Sequence, residues 1–225
     1  MKSLTGKIND HLKKLNIKKN DNLIVHSNII PFGIYNVSLP RYIINCILKK
    51  IGKSGSLAMP LYNLGLKNNS TVNVDKDYNI KENSILSKYY FNNYKVAKSS
   101  SIFHSHILSG ALKKDFKLRN FFNSYGNDSD FDFFLKKKFK LILLGCDATE
   151  GCTYLHHVEF KTKSPFRIKK YFNFVVKKNS KTYKKKISYQ VRKKNIFLNL
   201  NNIFFHPQVL KKTRIAVLKY GKSFS

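Results

Sequence analysis

Apolar residues recur along this chain in short blocks whose spacing changes from one block to the next. Between Ser3 and Leu15, apolar and basic positions mix at helical spacing and predict a helix. Leu23-Ile24-Val25 is a short apolar run that leads into His26-Ser27, as a buried strand does at its end. After Pro40, the run from Arg41 to Leu48 suits a helix stopped by Gly52, and Gly55-Ser56-Leu57-Ala58-Met59-Pro60 reads as a second strand closed by proline. Residues 63–83 are polar and predict a long surface loop, a kind of segment that is usually functional or mobile. Ile85 to Tyr94 reads as a helix. Ser99 to Gly110 reads as a small-residue loop centred on His104-Ser105-His106, and Phe116–Phe122 and Asp130–Leu135 as short helices. Leu141-Ile142-Leu143-Leu144, ending in Gly145, predicts another buried strand, with a helix following from about Glu150.

Beyond Pro165 the pattern turns to strand. Tyr171–Val176 and Thr182–Val191, joined by Lys178-Asn179-Ser180-Lys181, predict a hairpin, and Ile215–Leu218 a last strand. Strands alternating with helices, then a hairpin, give an α/β fold: a central sheet flanked by helices with a C-terminal β-hairpin. No internal repeat or boundary divides the chain, so residues 1–225 are expected to form a single domain.

Composition narrows the class. Hydrophobic residues make up 42% of the chain, including 18 Phe and 13 Tyr, which favours a globular core despite the many lysines. No apolar run approaches the ~20 residues needed to span a bilayer. The N-terminal residues lack the apolar segment of a signal peptide, so the expected location is cytoplasmic. Cys46, Cys146 and Cys152 have no CxxC spacing, which argues against a disulfide framework and against a metal site. The net charge of +31 points either to compositional drift or to an anionic partner, such as a phosphate-bearing ligand. Nucleic acid ranks lower, because the basic residues form no single stripe and no nucleic-acid-binding signature accompanies them.

Three separated segments carry reactive residue types: His26-Ser27 after a strand, His104-Ser105-His106 in a loop, and His156 with Glu159 on a helix. Residues three apart share a helix face, so Glu159 is placed to orient and charge-stabilise the His156 imidazole. That pairing makes a general base effective near neutral pH. Glu159 is also the last acidic residue of the chain.

Taken in order, several motifs resemble the aminoglycoside 3-N-acetyltransferase family, the acetyl-CoA-dependent antibiotic N-acetyltransferases. Asp21–Ser27 followed by Gly33 resembles its strand and turn near the pantetheine arm, and Gly55–Pro60 its G-T-L-x-M-P element. Ser99, His104-Ser105 and Gly110 resemble its R-S-x-H-P-x-H-S block, with Lys98 at the arginine and Ser101 at the first histidine. Gly126, Ser129 and Phe131 match a G-x-x-S-P-F element with Asp130 in the proline's place. Thr153 to Glu159 matches T-x-L-H-x-x-E, and Pro165-Phe166-Arg167 resembles the P-Y-R that follows it. The likeness runs from about Asp21 to Arg167. One acceptor-side stretch is nearly lost, keeping by spacing only Asp75 at its acidic position and Ser84 at its glycine.

The resemblance implies transfer of an acetyl group from acetyl-CoA to an amine. His156 is then the base, Glu159 its orienting carboxylate, and Ser105 or a nearby backbone N–H the donor to the thioester oxygen. His26, Ser27, Gly33, Met59, His104 and Ser105 are implied on the coenzyme side, and Asp75 and Thr153 on the acceptor side. A polycationic aminoglycoside would be repelled by so basic a chain, which favours a neutral or anionic amino sugar. Homo-oligomerisation stays open. So do two other readings: a basic nucleic-acid-binding protein without activity, and a coenzyme-binding family member that has lost turnover.

Overall fold

The computed structural model describes residues 4–30, 37–147 and 151–194. Its central sheet has the order β4-β5-β2-β1-β6, built from β1 (Asn22–Ser27), β2 (Ser56–Pro60), β4 (Ala97–Lys98), β5 (His106–Gly110) and β6 (Lys140–Leu144). β1 runs parallel to β2 and β6, while β5 is antiparallel to β2 and β4. A second sheet, β3-β7-β8, joins β3 (Thr71–Asn73) to a hairpin of β7 (Arg167–Lys178) and β8 (Lys181–Arg192). The α/β fold with a C-terminal hairpin is therefore as expected.

Helices cover both faces of the central sheet, which explains why its strands are near-continuous apolar runs and not alternating ones. Leu23, Val25, Leu57, Met59 and Ile107 point to one face. There they pack against α1 (Leu4–Lys14), α2 (Leu39–Ile51) and α3 (Ile85–Asn93) through residues such as Leu12, Ile44, Leu86 and Tyr90. Ile24, Ala58 and Leu108 point the other way, onto Phe116 of α4 (Lys113–Leu118) and Phe133 and Phe134 of α5 (Asp130–Lys136). Gly110 shows how closely β5 and β2 approach. Its φ is +99°, and a Cβ there would lie 2.2 Å from the Gly55 carbonyl oxygen.

Three expectations need correction. The helix expected at Phe116–Phe122 lies earlier, at Lys113–Leu118, and ends where Arg119 turns to an extended backbone. Residues 63–83 are not one loop. They contain β3 and a 3-10 turn, Ile80–Glu82, because Val72 and Val74 are buried in one cluster with Phe103 and with Phe174 and Val176 of the second sheet. Residues 99–110 are not all loop either. From His106 onward they form β5, with Ile107 and Leu108 fully buried on opposite faces. The hairpin turn follows its sequence: Asn179 and Ser180 both have positive φ, 48° and 62°, as a tight two-residue turn requires. The expected strand at Ile215–Leu218, together with Gly33 and Glu150, lies outside the described residues.

Candidate active site

Because β1, β2 and β6 are parallel, their carboxyl ends share one edge of the sheet, and the antiparallel β5 begins at that same edge. This topology gathers the three reactive segments. His26 and Ser27 end β1, Pro60 pairs with His106 at the start of β5, and Leu144 ends β6 just before the segment leading to the helix α6 (Tyr154–Lys161). The β2–β5 pairing continues past the strand ends. The Leu61 N–H donates to the Ser105 carbonyl at 2.9 Å and the Asn63 N–H to the Phe103 carbonyl at 2.9 Å, which sets Tyr62 beside His104. Carboxyl ends of parallel strands are where such folds assemble sites.

Tyr62 and Tyr125 hold the segments together, and sequence reasoning singled out neither. The Tyr62 ring lies edge-on to His26, His104 and His106, with centroids 6.3, 4.9 and 5.4 Å away. Tyr125 contacts His104 at 5.2 Å and, edge-on, His156 at 6.4 Å. Their sequence signal was only position: Tyr62 follows the strand closed by Pro60, and Tyr125 precedes Gly126. Near the start of α6, Gly151 allows close packing. A Cβ there would come within 2.7 Å of Leu143 Cδ2 and 3.4 Å of His26 Cβ.

On α6, His156 Nδ1 lies 2.7 Å from Glu159 Oε2, the expected pairing. Arg167, at the start of β7, completes the group. Its Nε donates to the same carboxylate oxygen at 2.9 Å, and a terminal guanidinium nitrogen lies 2.7 Å from that oxygen. The same guanidinium nitrogen is also 2.7 Å from His156 Nδ1. Nδ1 cannot donate to Glu159 and accept from Arg167 at once. With the carboxylate ionised, the arrangement that serves it is Nδ1–H donating to Glu159, which leaves Nε2 as the basic nitrogen.

The electrostatics follow. Burial lowers the His156 pKa, the hydrogen bond to Glu159 pulls it back up, and Arg167 lowers it again, with a net shift downward. Burial of Glu159 would raise its pKa, but hydrogen bonds from Arg167 and His156 outweigh that and keep it ionised. The imidazole is therefore neutral and able to accept a proton at neutral pH.

The other expected residues sit as follows. His26 is buried, and burial together with the neighbouring His106 lowers its pKa to about 3. His104 is buried too, held well below 6.5 by burial and by His106, His156 and His26, and its Nδ1 has no partner among the described residues. Ser27 Oγ lies 3.0 Å from Ser84 Oγ at the start of α3. Met59 is fully buried in the core beneath α1–α3. The buried Ser105 hydroxyl donates to the Leu61 carbonyl, so its proton is already committed. Asp75 accepts from the Asn179 N–H in the hairpin turn at 2.8 Å. Thr153, just before α6, bonds the Tyr62 hydroxyl at 2.6 Å. Cys152 has its thiol pKa raised, chiefly by burial, which makes it a poor nucleophile. Among the described residues no cluster has the make-up of a metal site, and no helix is long and apolar enough to cross a membrane.

The aminoglycoside 3-N-acetyltransferase family model matches residues 24–220. The chain belongs to that family. Membership makes it an N-acetyltransferase with acetyl-CoA as its acetyl donor. Solved structures share the fold at low identity. The YokD protein from Bacillus subtilis matches at 16% identity and a TM-score of 0.71, covering 84% of this chain and 82% of that one. AAC-IIIb, solved as a binary complex with CoASH, matches at 17% identity and a TM-score of 0.72, over 83% of this chain and 75% of its own. AAC-VIa with bound sisomicin matches at 12% identity and 0.72, over 88% and 79%. No curated protein matches the sequence.

Proposed function

We propose that this acetyltransferase acts on an amino sugar that is neutral or anionic, with His156 as general base and Glu159 as its orienting carboxylate. The observation that carries the reading is the His156–Glu159–Arg167 cluster at the sheet edge, where Nε2 alone remains to accept a proton. An ammonium ion has no lone pair, so the acceptor reacts only as a free amine. His156 Nε2 takes the amine's proton as nitrogen attacks the thioester carbonyl. An N–C bond forms, the C–S bond breaks, and the proton passes to the leaving thiolate. Binding both substrates together supplies much of the acceleration through orientation. Ser105 does not fit as oxyanion donor while its proton is held by Leu61, so a backbone N–H is the better candidate for that role.

The acceptor class rests on charge. Carboxylates on the elements that build and adjoin the site are already engaged: Glu159 by Arg167, Asp130 by Arg119 and His106, Asp132 by Lys136 and Lys161, and Asp75 by the Asn179 N–H. Arg167 and Arg192 both act on His156, and neither favours a polycation. On the coenzyme side, Nδ1 of His104, without a hydrogen-bond partner among the described residues, is a group that the amide-bearing pantetheine arm would satisfy.

The test is coenzyme A release measured against neutral amino sugars, nucleotide-linked amino sugars and aminoglycosides. Preference for the first two classes is expected. Equal turnover of kanamycin-type drugs would overturn the acceptor assignment. His156→Ala should abolish release while coenzyme binding, followed by calorimetry, persists. Retained turnover would remove His156 as the base.

A further inference from the structure

A second polar chain reaches α6 from the interior, and the acid–base step does not use it. Asp130, in the place where the family pattern has proline, is 2% exposed. It is held by Arg119 Nη1 at 3.1 Å and by His106 Nδ1 at 3.0 Å. On the far side of that imidazole, Nε2 lies 3.5 Å from the Tyr62 hydroxyl, at the outer limit of a hydrogen bond. The Tyr62 hydroxyl in turn lies 2.6 Å from Thr153 Oγ1. The Thr153 carbonyl accepts from the His156 N–H at 3.1 Å, so Thr153 forms the first turn beneath the base.

One assignment of protons satisfies every member of this chain. With the imidazole proton on Nδ1 facing the Asp130 carboxylate, the other ring nitrogen, Nε2, offers a lone pair to the Tyr62 O–H. The Tyr62 oxygen then accepts from the Thr153 hydroxyl. Charges this deep are costly to bury, and replacing such clusters by apolar residues is often neutral or stabilising. Stability alone is therefore a weak reason to keep Arg119, Asp130 and His106 among Phe131, Phe133 and Phe134.

We infer that Tyr62, His106 and Asp130 are positioning residues that fix Thr153, and through it the first turn of α6, so that His156 meets its substrates in a single orientation. The inference rests on His156 being the base. Its test is therefore read in two ways, one of them independent of turnover.

Tyr62→Phe removes one oxygen and keeps the ring contacts. His106→Phe suits its aromatic surroundings and leaves the Arg119–Asp130 pair intact. Each should lower kcat roughly tenfold while KM for the coenzyme stays within about twofold. In a Thr153→Val background, Tyr62→Phe should cost nothing further, because the chain is already cut. Without substrates, the side-chain NMR signals of His156 should move in both single variants. Multiplicative losses in the double variant, or an unmoved His156 signal in a folded Tyr62→Phe protein, would overturn the inference. If the wild-type chain turned over no acceptor, the base assignment would fail by itself, and the NMR signals would still decide the positioning chain.

Discussion

Two groups of histidines meet at the same sheet edge in opposite surroundings. His26 and His104 are enclosed by aromatic rings, and their protonated forms are strongly disfavoured. His156 is only half-buried and faces a carboxylate and a guanidinium that pull its charge in opposite directions. What suits one imidazole to the proposed role of base is access plus a counter-charge. What makes the others scaffold is the removal of both.

The largest effect expected from this contrast is on stability in acid. A histidine whose folded pKa is depressed takes up protons more readily once unfolded, so its share of stability is complete above the ordinary 6.5 and is lost as pH falls towards the folded value. For His26 that window runs from 6.5 down to about 3. His104 shifts in the same direction. Together they should cost several kcal/mol by pH 5, a fall in Tm of roughly 10 °C from pH 7.5 for a chain of this size. A melting temperature that stays level to pH 5 would mean these rings are hydrated and the two environments are not distinct.

Next in size is the loss of the counter-charge. Glu159→Gln keeps a hydrogen-bonding group beside His156 but removes the negative charge that fixes Nδ1–H. A fall in kcat of about 100-fold is expected with coenzyme affinity unchanged, within the range that acid–base groups contribute. A fall of less than threefold would reduce Glu159 to a structural partner of Arg167.

How much of this was legible in the sequence depends on the range of each signal. α2, β2 and α5 declared themselves through local apolar spacing, and the His156–Glu159 pair through its spacing of three on a helix. β3 did not, because its case rests on Val72 and Val74 meeting Phe174 and Val176, a hundred residues away in a strand rich in lysine. β5 was hidden because it opens on a histidine and holds only two large apolar residues, Ile107 and Leu108. The site divides in the same way. Motif order supplied His26, His104 and His156, but the rings that join them, Tyr62 and Tyr125, carry no motif. Ser105 reads as a free hydroxyl in the sequence, and only the pairing of β5 with the segment after β2 brings the Leu61 carbonyl to its proton.

A smaller effect separates His157 from its neighbour. His157 is 1% exposed, and neither ring nitrogen has a partner among the described residues. Burying such polar atoms without hydrogen bonds costs free energy that a phenyl ring would not. His157→Phe should therefore gain about 1 kcal/mol, read as a rise in Tm of a few degrees, with turnover unchanged. Loss of turnover would show that the contrast between adjacent histidines on α6 is drawn in the wrong place.

The finest test concerns Arg167, whose effect should appear in the pH profile more than in the rate at neutral pH. Its guanidinium lowers the His156 pKa directly, and by pairing with Glu159 it also weakens the carboxylate's pull in the other direction. Arg167→Gln removes both influences, so the imidazolium becomes easier to form. The acidic limb of kcat/KM should then move to higher pH, with turnover on the plateau reduced by less than about tenfold. A limb that stayed in place while the plateau collapsed would assign Arg167 to holding β7 against α6. A limb that moved to lower pH would mean that Glu159 no longer reaches His156 once the arginine is gone, so that the arginine maintains the pairing it partly neutralises.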